Sequence, residues 1–126
     1  MSDASQFLDL AEEELVASQL LLQNTYYRAC ISRAYYAMYY ATQALLTTRD
    51  IESRTHKGVL QQFSQSFVQS GDLPVSMAQN LKRTYGLRQL GDYEADVVLT
   101  EELATQALEA AVEFVEQVRR YLGNSD

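Results

Sequence analysis

Residues 26 to 46 read YYRACISRAYYAMYYATQALL, a run of six tyrosines and five alanines among other residues, with neither glycine nor proline to interrupt it. At the α-helical rise this makes about six turns. Cys30, Ile31, Ala34, Met38, Ala41 and Leu45 recur at three- and four-residue spacing and form one apolar stripe, while Tyr36, Tyr40 and Ala44 form a second, roughly opposite. A helix that is apolar nearly all round has to be covered on more than one side, by neighbouring helices or by another subunit. This segment is therefore expected to organise the chain, and its small residues let neighbours approach closely.

The 126 residues fit one compact domain, 1–126. Arg28, Arg33 and Gln43 break the longest apolar stretch, so nothing approaches the roughly 20 apolar residues of a membrane span. The N-terminal MSDASQFLDLAEEEL is acidic and has no basic n-region, which argues against a secretory signal and for a cytoplasmic protein without membrane attachment. The single cysteine, Cys30, lies on the apolar stripe and reads as a buried structural thiol. Net charge is −7, but its distribution is uneven. Residues 1–27 hold five acids and no base, residues 28–88 eight bases and three acids, and residues 89–126 two bases and nine acids. A basic middle between acidic flanks permits a local anion-binding surface on an acidic chain, or is simply a set of solvated helix faces.

Five helices and no strand are expected, since period-two alternation is absent over useful lengths. The first spans about Asp3 to Gln23, with Phe7, Leu10, Ala11, Leu15 and Leu22 inward, and Asn24 and Thr25 end it and can cap the next. The tyrosine helix reaches about Thr47 or Thr48 and is followed by a polar connector of about nine to ten residues. A third helix starts near Thr55 and stops at Ser70-Gly71; a fourth runs from about Pro74 to Leu90; Thr100 caps a fifth that carries Ala104 to Leu122 in helical period. Short links make most neighbours antiparallel, giving an all-α, up-and-down bundle of four or five helices.

Charge appears where the helical pattern asks for core in RTYGLRQLGDYEAD, residues 83–96. Arg88 continues the face of Met77, Leu81 and Tyr85, and Asp92 follows four residues later, so the two can pair if the helix persists through Gly91. A charge so placed needs a partner or a phosphate. The pair is either a structural bridge that fixes the next loop, with Tyr93 packed beside it, or a ligand site. His56 is the only histidine and so the only side chain whose ordinary pKa is near neutrality; Arg49, Arg54 and Lys57 add positive charge suited to a phosphate. Its plainer reading is a residue at a helix N-terminus. The tyrosines read as packing layers, or as a twofold interface through Tyr36 and Tyr40, rather than as base-stacking platforms. Glycine-rich phosphate loops, metal-type carboxylate patterns and Cys/His zinc spacing are missing, so no cofactor or metal is expected.

Two segments together, SRAYYAMYYATQALL and, after THKGVLQQFSQSFVQSGDLP, LKRTYGLRQLGDYE, resemble the HEPN superfamily, specifically its small prokaryotic stand-alone proteins. The likeness runs from about residue 5 to 122. It implies a helical bundle, a homodimer, and a gene often placed beside a minimal nucleotidyltransferase in toxin-antitoxin pairs. Active members resemble metal-independent ribonucleases that use an Arg followed four to six residues later by His, near the region of Arg88 to Tyr93 here. In that pattern the His moves protons at the RNA 2′-hydroxyl or leaving oxygen and the Arg stabilises the phosphate. This chain has Asp92-Tyr93 where the histidine is expected, and no histidine after position 56. The resulting expectation is a dimeric module, non-catalytic or weakly catalytic, that binds RNA, a nucleotide or a nucleotidyltransferase through Arg88, Asp92 and Tyr93, with Arg49 and Lys57 as further ligand contacts. The alternatives are a ribonuclease toxin, with Arg88 on the phosphate and Asp92 or His56 handling protons, and a purely structural dimerisation domain.

Overall fold

Eleven of the 21 residues of the tyrosine-rich helix, Tyr27–Thr47, are buried, and they cover more than half of its circumference: Cys30, Ile31, Ala34, Met38, Ala41 and Leu45 of the first stripe, Ala44 of the second, and Tyr35, Ala37, Thr42 and Leu46 beside them, while the face of Tyr36, Tyr40 and Gln43 is only half-buried. Such coverage requires neighbours on more than one side. In the computed structural model, which describes residues 2–124, that helix (α2) touches each of the other four: α1 (Asp3–Gln23), α3 (His56–Phe63), α4 (Val75–Tyr93) and α5 (Glu101–Asn124). The described residues contain no strand. Residues 1, 125 and 126 of the expected domain lie outside them.

Small residues set the spacing. Ala34, Ala37, Ala41 and Ala44 of α2 and Ala104 and Ala111 of α5 are fully buried, in one core with the larger Phe63, Phe67, Phe114, Val115 and Val118. Phe63 and Phe114 meet at 5.4 Å between ring centroids, tying α3 to α5. Burying side chains of this kind is worth roughly 1.5–3 kcal/mol each, so the core, not helix propensity, holds the bundle together. Ser18 of α1 enters the core only because its hydroxyl donates to the Cys30 carbonyl at 2.9 Å.

Helix ends mostly follow the sequence. Thr55 and Thr100 cap α3 and α5 by accepting from Gly58 N–H (2.9 Å) and Leu103 N–H (3.2 Å). Gly71 adopts φ +89° after the third helical segment, a conformation that suits glycine. Four expectations change. The third segment is α-helical only to Phe63 and continues as a wide π turn over Ser64–Val68, in which Gln69 N–H donates to Ser64 O five residues back. The fourth helix runs three residues beyond Leu90, to Tyr93, because its end is held from α2 as described below. Leu10 is 39% exposed rather than inward, since α2 and α5 cover the Leu8–Ala11 side of α1. Asn24 closes α1 by donating from its amide to Leu20 O, but neither it nor Thr25 caps α2: Tyr26 occupies that position without a side-chain bond.

Thr25 itself has φ 66°, a left-handed conformation that its branched Cβ disfavours. Thr25→Asn is expected to raise stability by about 0.5–1 kcal/mol. The urea midpoint should move up with no change in slope; a fall would show that the turn draws on the threonine side chain.

Candidate functional site

The end of α4 is fixed from across the bundle. Arg28, in the first turn of α2, donates through Nη1 to Gly91 O and through Nη2 to Val97 O at 2.9 Å, so one guanidinium clips together the last turn of α4 and the segment that follows. This approach needs a glycine: a Cβ at position 91 would stand 3.0 Å from Leu99 Cδ1 and 3.2 Å from Arg28 Cγ. With Gly91 inside the helix, Arg88 and Asp92 sit on one face and Arg88 Nε lies 2.9 Å from Asp92 Oδ2.

That ion pair is incomplete. Its side chains are 15% and 35% exposed, and Nε, although close to the carboxylate, is too far off axis to hydrogen-bond to it. The guanidinium carbon lies 5.6 Å from the Tyr35 ring centroid and 5.2 Å from that of Tyr36. Among the described residues no hydrogen bond is made by either terminal nitrogen, so the charge is balanced by one carboxylate and two aromatic faces while part of its donor fork is free. Arg33, 4.9 Å from the Tyr36 centroid, brings a second guanidinium to the same ring, anchored to Glu14 at 3.0 Å.

His56, the first residue of α3, occupies the other side of this aromatic patch. Its Nδ1 is 2.7 Å from the Tyr35 hydroxyl, and its ring lies 4.7 Å from Tyr39, 5.9 Å from Tyr36 and 5.9 Å from Tyr85 between centroids. Tyr35 is fully buried, and burial pushes its phenol well above the ordinary tyrosine range, so it stays a neutral phenol beside Nδ1, able to donate to it or accept from it. The tautomer of neutral His56 in which Nδ1–H donates to the phenol oxygen leaves Nε2 free as an acceptor. Burial, and secondly the positive charge of Arg88, lower the histidine's pKa from its usual 6.5 and hold it in that neutral form. A neutral imidazole beside a partly free guanidinium can accept a proton or bind near an anion; both are needed for chemistry at a phosphate.

The remaining candidates are placed differently. Asp92 faces Arg88, but Tyr93 is 78% exposed and does not pack beside the ion pair. Lys57 is exposed next to His56. Arg49 belongs to another wall, where it donates to Ser66 O, to Asp72 at 2.7 Å and to the Tyr121 hydroxyl at 3.0 Å, with its guanidinium 3.9 Å over Phe67. This tie of the π turn, the link before α4 and α5 uses its charge internally, and it also holds the Asp72 carboxyl below the usual range. Tyr36 and Tyr40 are half-buried, Tyr36 between two arginines and Tyr40 6.3 Å from Phe7. Tyr35, Tyr39, Tyr85 and Arg28 have structural parts in the site that spacing does not reveal; the density of tyrosines in α2 is the one signal that pointed near them. No three His, Cys, Asp or Glu side chains gather among the described residues, so none is assigned to a metal.

Comparison with known proteins bears on this arrangement. The HEPN domain profile matches residues 4–121. Two proteins of Methanocaldococcus jannaschii, named "Putative toxin MJ0142" and "Putative toxin MJ0605", are 32% and 34% identical to the chain; the matches cover 95% and 91% of it, and 82% and 85% of theirs. The crystal structure of TT1696 from Thermus thermophilus superposes with a TM-score of 0.82 over 96% of this chain and 99% of that one, at 20% identity, a likeness of fold.

Because the chain has one histidine, its titration can be followed without assignment ambiguity. NMR should give a His56 pKa below 6.5, and Arg88→Gln should raise it by removing the nearby charge. The linked stability has a definite sign. The unfolded chain binds this proton more tightly, so the contribution is full above about pH 6.5 and is lost as pH falls toward the folded value. His56→Gln should flatten that part of the pH–stability curve; an unshifted histidine in wild type would contradict the geometry.

Proposed function

We propose that this chain, which belongs to the HEPN family, is a single-domain RNA- or nucleotide-binding member of a toxin-antitoxin type system, with the Arg88 guanidinium as its phosphate contact. One observation carries the reading: Arg88 sits on a core-facing helix position, held by Asp92 and the Tyr35 and Tyr36 rings, with its terminal nitrogens unused. A guanidinium that is positioned by the fold but not consumed by it is a ready anion contact. Asp92 orients it, and the exposed ring of Tyr93, one residue on, is available to stack on a base. Relatives named as toxins support the system, and the half-exposed Tyr36 and Tyr40 support a homodimer in which a second copy covers them. A nucleotidyltransferase is the protein partner proposed for such a pair.

A specific observation favours a second reading, that of a metal-independent ribonuclease. His56, neutral and paired with Tyr35 through Nδ1, shares the Tyr35 and Tyr36 rings with Arg88 and so stands in for the histidine missing after it. In that case Nδ1–H donates to the Tyr35 oxygen, Nε2 accepts the 2′-hydroxyl proton as the 2′-oxygen attacks phosphorus and the 5′-oxygen departs, and Arg88 stabilises the phosphorane charge.

Arg88→Ala should weaken binding of single-stranded RNA by about 10- to 100-fold, the worth of a charged hydrogen-bonded contact, without unfolding the protein. Fluorescence anisotropy measures this; equal affinity of wild type and variant rejects the assignment. Incubation of the same RNA separates the two readings. Cleavage that is lost in His56→Gln identifies a nuclease, and intact RNA with binding retained identifies a binding module.

A further inference from the structure

Beside the Arg88 and His56 patch, α3 and α4 enclose a groove of about 420 Å³ that the phosphate contact leaves unused. Its floor is apolar, built from Leu60, Phe63, Ala78 and Leu81, and Lys57 and Lys82 stand at its rim. Neither lysine takes part in an ion pair among the described residues. The groove and the site share a wall, because Tyr85 lines the groove while its ring stacks against His56 at 5.9 Å and an interplanar angle of 21°. Lys57 is the residue after His56, and Lys82 precedes Tyr85 by one helical turn. The wide turn that begins at Ser64 forms the far end.

An apolar slot between two unpaired cations fits a flat, apolar-faced group attached to anions. The volume lies within the range of small-ligand sites. A purely aliphatic occupant would leave both ammonium groups unanswered, and an acidic one would leave the floor uncovered. We infer that the α3–α4 groove is a base-binding subsite for single-stranded RNA: one nucleobase lies on the Leu60, Ala78 and Tyr85 surface, and Lys57 and Lys82 hold the flanking phosphates of a strand that continues to Arg88. This rests on the RNA reading above and extends it from one phosphate contact to a track of successive nucleotides. Stacking fixes the strand without demanding a sequence, and the lysines supply affinity that depends on salt.

The test uses the full chain and two fluorescein-labelled octamers, one of uridine and one with the same backbone but abasic at its central positions. Wild type should bind the uridine octamer about tenfold more tightly than the abasic one. Ala78→Phe, which fills the groove, should lose that preference while keeping the helical circular-dichroism signal and melting behaviour of wild type; a retained tenfold preference in the folded variant also overturns the subsite. Lys57→Gln with Lys82→Gln, both at exposed positions where misfolding is not expected, should reduce the slope of log affinity against log salt by about 1.4, the value for two single-strand phosphate contacts. Equal affinity of wild type for the two octamers, or an unchanged salt slope in the double variant, overturns the subsite. If Arg88→Ala still weakens binding in that case, the phosphate assignment survives and the groove belongs to a protein partner. Failure of wild type to bind either octamer overturns both.

Discussion

The constraint that shapes this protein is the cover that α2 demands. A helix buried over more than half of its circumference cannot sit at the edge of a bundle, so α1, α3, α4 and α5 are all drawn against it. Alanines along α2 let them come close, and the tyrosines at one end of the contact surface then have nowhere to go but into each other. Tyr35, Tyr36, Tyr39 and Tyr40 are consecutive neighbours in space, with ring centroids 5.3 to 6.3 Å apart. The cluster is thus a consequence of packing before it is a site.

What turns packing into a site is the polar groups the cluster collects. A buried phenol needs a partner, and Tyr35 finds one in His56, whose burial and nearness to Arg88 favour the neutral imidazole. A guanidinium on the same face can be tolerated only against π-faces and a carboxylate, which Tyr35, Tyr36 and Asp92 provide. The position of Arg88 depends in turn on α4 keeping its helical form past Gly91, and that form is held by Arg28 from the start of α2. Three helices, α2, α3 and α4, thus cooperate in presenting one half-used charge.

Several parts of this were legible residue by residue. The Arg88 to Asp92 pair follows from a four-residue spacing on a helix, and the threonine caps at 55 and 100 from their place before apolar periods. Arg49 stands near His56 in sequence as charge suited to a phosphate, yet it lies just past α2 beside Phe67, Asp72 and Tyr121, and Asp72 and Tyr121 take up its donors. Tyr93 likewise seemed placed to pack, but the helix turns it toward water. Leu10 and the α3 segment beyond Phe63 show the same limit on a smaller scale, because periodicity marks a face without saying where a neighbour ends or where a helix widens.

The chain's own residues determined that it is helical, that α2 is central, and where most helices begin, because these depend on local periodicity, capping chemistry and the absence of breakers. They also placed a positive charge on a core-facing stripe. Only the tertiary structure decided that His56, 32 positions before Arg88 in sequence, meets the same aromatic rings, and that Arg49 does not. Contacts between helices depend on how each is rotated and on what its neighbours cover, and the spacing within one helix carries no record of either.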